Sequence, residues 1–154
     1  MRIVPLPPTP ELEKLLAALL GREVKVRPLD GEQPAGAVGV ALYRTDEPVI
    51  EVAAVCEVGL AVAMAAALSA IPPGVVRDVL SSGKIDASLL ENLAEVMNVI
   101  ARFISSSGRR FGLASSAYPP PPDLLARART VDETREVTVE IAGYGAGRLA
   151  FNTL

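Results

Sequence analysis

Histidine is absent from this 154-residue chain. Without it the chain cannot assemble a Ser-His-Asp or Cys-His nucleophile from its own residues, and a zinc site loses its usual nitrogen ligand. The single cysteine, Cys56, excludes an internal disulfide. Tryptophan is missing and aromatics make up 4% of the residues, so the core must be built from Ala, Val, Leu and Ile. There is no excess of positive charge. A net charge of −3, with no basic run, removes the electrostatic footprint of a nucleic-acid binder. Nor is there an apolar run of the ~20 residues that a membrane span needs. The longest charge-free stretch, 58–76, is Ala-rich and broken by Pro72, Pro73 and Gly74. Pro5, Pro7 and Pro8 stand where a leader would need an apolar core. The expectation is one cytoplasmic domain over 1–154, long enough to bury a core, with neither membrane nor nucleic acid among its partners.

What is present alternates in period. Thr9 as cap and Pro10 in the first turn open a helix whose leucines 12, 15, 16, 19 and 20 share a face, and Gly21 stops it. Over 22–29, Val24 and Val26 oppose Lys25 and Arg27, the pattern of a half-buried strand. A polar connection at 30–36 leads to two more strands, 37–44 and 49–55, close enough to form a hairpin. Residues 57–70 are apolar on nearly every side and rich in alanine, which predicts a helix packed tightly in the core. A short helix is expected at 73–82, ending at Gly83. After a strand at 110–118, the proline run 119–122 predicts a rigid extended or edge segment. Residues 123–130 read as a turn of helix or a loop. In the strand 135–142, Val137, Val139 and Ile141 point inward, and Glu136, Thr138 and Glu140 outward. Gly143, Gly145 and Gly147 make the turn into a last strand at 148–152. Strands and helices come in runs. That predicts an α+β fold, with an antiparallel sheet of about six strands and long helices packed on one face.

The clearest helix is 86–105. Ser88 followed by Glu91 has the form of a capping box. Leu89, Leu90, Leu93, Val96, Met97, Ile100 and Ile104 mark one apolar face. On the other side Glu91, Glu95, Asn98 and Arg102 fall at spacings of 4, 3 and 4, which makes a single stripe. Asn inside a helix costs roughly 0.5 kcal/mol against Ala. A solvated surface would tolerate that, so the stripe alone does not separate a site from an ordinary polar face.

With its surroundings, the helix resembles the CheC/CheX/FliY family of CheY-phosphatases, in its CheX-like branch. That family's signature is an acidic or hydroxyl residue, three residues, Glu, two residues, Asn, twenty-one residues and Pro. Here Glu91, Glu95 and Asn98 fit the first positions, and the twenty-one residues 99–119 lead to Pro120. Two positions depart from the pattern. The first position is Glu91 where Asp or Ser is usual, and Arg102 stands where members often carry Gly. The resemblance implies a CheX-like phosphatase that hydrolyses the aspartyl phosphate of a response-regulator receiver domain in two-component signalling. It makes Glu95 and Asn98 catalytic, Asn98 orienting the water and Glu95 meeting the regulator's lysine. Glu91 and Pro120 would contact the partner, Glu91 either in docking or only as the helix cap, and Arg102, a departure from the family's pattern, would engage an acidic rim on it. The chain would hold no cofactor of its own, Mg2+ being supplied by the receiver, and a homodimer is within the family's range. The alternative is a non-catalytic adaptor or dimerising module of the same fold. Arg102 favours it if the guanidinium lies over Asn98 and occupies Glu95.

Overall fold

The computed structural model describes residues 6–30, 33–105, 108–129 and 134–154. The opening residues on which the expectation of no leader rests, 1–5, lie outside them, as does part of the 30–36 connection. In chain order the elements are α1 (Thr9–Leu20), β1 (Val24–Leu29), β2 (Val38–Arg44), β3 (Glu51–Glu57), α2 (Val58–Leu68), α3 (Pro73–Ser82), α4 (Ala87–Ser105), β4 (Gly112–Ala117), α5 (Pro122–Arg129), β5 (Thr134–Ile141) and β6 (Gly145–Thr153). The fold is α+β. Six strands form one sheet in the order β1-β5-β6-β3-β2-β4, and every neighbouring pair is antiparallel. Pro28 is accommodated because β1 is an edge strand.

The long helices cover one face. Leu12 and Leu16 of α1, Leu60 and Met64 of α2, and Val96, Ile100 and Ile104 of α4 meet Tyr43, Val52, Val139, Ile141, Leu149 and Phe151 of the sheet in one cluster. Helix α2 lies deepest, with its alanines all buried. They allow close packing, and Leu60 of the same helix approaches Gly147 of β6. A Cβ there would lie 2.6 Å from Leu60 Cβ, inside any real contact. Gly147 therefore serves packing, not the turn. It pairs with Val139 within the sheet, while Gly143 and Gly145, with φ of 86° and 98°, bend the hairpin.

The opposite face is not bare. Val38, Val40, Ala53 and Val55 point away from the long helices and form a second cluster with Ala128, Leu124 and Leu125 of α5. So the chain is helical through Arg129 here, and β2 and β3 are buried on both sides. The same layer changes the outward face of β5. Glu136, expected in solvent, is 5% exposed, and Asn152 of β6 is fully buried with its amide donating to Ala128 O at 2.6 Å. Two helix starts also differ from expectation. At α1 the cap position is Pro8 rather than Thr9, with no side-chain cap bond. At α4 the cap is Asp86, whose Oδ1 accepts the Leu89 N–H at 2.9 Å. Glu91 therefore has no capping-box partner at Ser88 and is left on the helix surface.

Candidate functional site

Helix α4 is held on three sides by polar contacts as well as by its apolar face. Inside, the buried Tyr43 hydroxyl donates to the Met97 carbonyl at 2.6 Å, one residue before Asn98. Burial, with Cys56 close by, pushes that hydroxyl above its ordinary value, so it stays a proton donor. On the α2 side, Asn92 Nδ2 donates to Ala65 O at 3.0 Å and to Ser69 Oγ at 2.7 Å. Ala65 lies in the last turn of α2, where carbonyls have no partner within the helix. At the C-terminal end, Ser105 Oγ accepts the Phe111 N–H at 2.9 Å and ties the helix end to the start of β4.

These contacts give the outer stripe a fixed platform. Glu91, Glu95, Asn98 and Arg102 are all exposed along α4, while Leu93, Val96, Met97 and Ile100 are buried beneath. Glu95 and Asn98 stand one turn apart, which places their Cβ atoms about 5–6 Å from each other. Among the described residues neither makes a side-chain hydrogen bond or an ion pair. Arg44 pairs with Glu51 at 2.9 Å, and Arg127 of α5 with the same carboxylate at 3.0 Å. Arg102 accordingly does not occupy Glu95 or Asn98. A carboxylate acceptor and an amide that both donates and accepts thus stand in water on a rigid element, with a cation one turn further on.

Pro120 lies outside the helix that carries the stripe. It is half-buried in the connection between β4 and α5, which carries the chain toward the opposite face of the sheet. Asn92, which the sequence did not single out, proves to hold the platform; a polar residue flanking an apolar stripe is the only trace it leaves. A groove of about 640 Å³ opens between the start of α1, β1 and β5, lined in part by Pro8, Pro28, Asp30 and Arg135, and no α4 residue lines it. Among the described residues no three His, Cys, Asp or Glu side chains are grouped as metal ligands, and no helix is long and apolar enough to cross a membrane.

No family model matches the sequence, and no curated protein is significantly similar to it. Solved structures are similar in fold. The FliM middle domain of Vibrio alginolyticus superposes with a TM-score of 0.64 at 10% identity, over 94% of this chain and 86% of that one. FliY of Thermotoga maritima gives 0.55 at 13% identity, over 92% and 81%. CheX of Borrelia burgdorferi, solved in complex with CheY, BeF3 and Mg2+, gives 0.52 at 13% identity, over 91% and 90%. At this coverage the three superpositions show that the chain has the fold shared by these FliM, FliY and CheX structures.

Proposed function

We propose that this chain binds a response-regulator receiver domain through the outer stripe of α4 and accelerates hydrolysis of its aspartyl phosphate. The observation that carries the reading is the pairing of Glu95 with Asn98, adjacent, exposed and unused by the fold. The likeness to a CheX solved with CheY bound supports a partner of that class. An acyl phosphate is already activated, so the catalyst's task is to place a water in line with the phosphorus. The Asn98 amide accepts a hydrogen bond from the water through its oxygen or donates one to the water oxygen, and so fixes the attack direction. The water oxygen bonds to phosphorus as the bond from phosphorus to the aspartyl oxygen breaks. Free carboxylate and inorganic phosphate leave. Glu95 accepts from a partner lysine and sets the helix in register. No group with a shifted pKa is required, which suits a chain without histidine. Any Mg2+ comes with the partner's phosphorylation site.

The test is the decay of phosphorylated receiver domains from the source organism, with and without this protein. Wild type speeds the decay of its cognate receiver. Asn98→Ala removes most of that acceleration, about 10²-fold, the scale of one lost preorganised polar group, while binding persists. Glu95→Ala lowers binding as well, by the roughly 1.5–3 kcal/mol of a charge-assisted contact. Acceleration that survives Asn98→Ala refutes the mechanism. A second reading, a non-catalytic adaptor, is favoured by the higher TM-score of the FliM middle domain, 0.64 against 0.52 for the CheX–CheY complex. A receiver that binds wild type without faster decay establishes it.

A further inference from the structure

We infer that Arg102 reads the phosphorylation state of the partner by contacting the phosphoryl oxygens, an inference that rests on the function proposed above. The exposed face of α4 is electrically split. Glu91 and Glu95 make its first half acidic, whereas no carboxylate occurs in the sequence between Glu95 and Asp123. That interval carries Arg102, Arg109 and Arg110, all exposed. The Ser105–Phe111 hydrogen bond of 2.9 Å holds the start of the following strand against the helix end, so all three cations gather at one end of the stripe. The β2–β3 turn, which carries Asp46 and Glu47, lies toward that end, and so does Glu51, across β2 from Gly112 of β4. Glu51 is already bridged by Arg44 and Arg127. Among the described residues Arg102 has no acidic partner.

Its position suits an anion beside the water held by Asn98. Arg102 follows Asn98 by one turn, and helical side chains lean toward the N-terminus, so the guanidinium covers the surface next to that amide. A planar guanidinium matches two phosphoryl oxygens at once, and it stays charged throughout the physiological range. Glu95 meets a cation, Asn98 a water and Arg102 an anion, in that order along one helix. Such a face gains a contact when the partner's aspartate becomes phosphorylated and loses it on hydrolysis. Product release follows from the same arrangement.

The experiment titrates wild type and variants against one receiver domain, once loaded with beryllofluoride and once unloaded. Wild type binds the loaded form at least about 10-fold more tightly, the scale of one charge-assisted bidentate contact. Arg102→Gln removes that ratio and leaves affinity for the unloaded form unchanged. Arg102→Lys recovers part of it, because charge remains but the planar fork does not. The Arg109→Gln/Arg110→Gln double variant lowers both affinities together and weakens their salt dependence, as steering charges do. Circular dichroism of each variant matches wild type, since all three positions are exposed. If Arg102→Gln weakens both forms equally or neither, the inference is overturned while the function stands. If wild type speeds dephosphorylation yet binds both forms alike, the inference again falls alone. If wild type binds neither form of any receiver tested, the function and the inference fall together.

Discussion

Asn92 and Asn98 sit on the same helix and are used in opposite ways. Asn92 donates to Ala65 O and Ser69 Oγ and so spends its amide on holding α4 against α2. Asn98, on the other flank, is exposed and spends nothing on the fold. The contrast extends to their neighbours. Toward the core, Tyr43 and Ser105 fasten the helix by its backbone and its end. Toward solvent, Glu91, Glu95 and Arg102 are left without a partner among the described residues. Polar groups facing the protein interior must be bonded, because an unpaired one costs about 1–3 kcal/mol. Polar groups on the outer face carry no such cost, so a row of them on a firmly held helix is available to a partner.

The comparison breaks most sharply by exchanging the two phenotypes. Asn98→Ala is expected to cost about 10²-fold in receiver dephosphorylation and to leave stability within about 0.5 kcal/mol. Asn92→Ala is expected to do the reverse, lowering unfolding free energy by about 1–3 kcal/mol as Ala65 O loses its donor. Urea titration reads this as a lower midpoint at unchanged slope. Equal stability losses in the two variants would erase the distinction between the flanks.

Tyr43→Phe sharpens the inner side by a smaller amount. Losing the bond to Met97 O costs about 0.5–1.5 kcal/mol. It also changes the alkaline limb. The folded state holds the Tyr43 proton above the ordinary value of 10.0, so the unfolded chain releases it first. Stability from this group is full below pH 10 and falls as pH rises beyond it. The phenylalanine variant, measured from pH 9 to 11, loses stability less steeply than wild type. An identical slope would mean that the hydroxyl titrates alike in both states.

The smallest effect belongs to the ion pairs of Glu51. Its carboxyl is held below the ordinary 4.5, first by the Arg44 hydrogen bond and then by Arg127. A depressed carboxylate adds stability that is present above pH 4.5 and is lost as pH falls through the folded value. Both arginines are half exposed, so solvent screening limits the gain. Glu51→Gln should cost about 0.2–1 kcal/mol at pH 7 and nearly nothing at pH 3, followed by urea titration at the two pH values. A cost that persists at pH 3 would point to packing instead of charge.

Much of this molecule was legible from period alone. The 3.6-residue repeat of α4 places Glu91, Glu95, Asn98 and Arg102 on one side, and all four are exposed there. Strand alternation in β5 put Val137, Val139 and Ile141 in the core correctly. It also put Glu136 in solvent, and there it failed, because alternation identifies two faces and not what covers the second. The cap of α4 was misassigned for a similar reason. Asp86 and Ser88 are both good caps by type, and backbone geometry chose Asp86.

By itself, then, the sequence determined the elements other than α5, the antiparallel α+β plan and the polar stripe. Each of these depends on residues within a few turns of one another, whose side chains are fixed in direction by the local backbone. Only the tertiary structure decided that α5 covers the second face of β2 and β3 and that Asn92 belongs to the α2–α4 contact. Gly147 belongs with these, read first as a turn residue and found under Leu60. Such facts follow from the order β1-β5-β6-β3-β2-β4, which sets distant segments side by side. No local period encodes that order, because it is set by the joint burial of faces far apart in the chain.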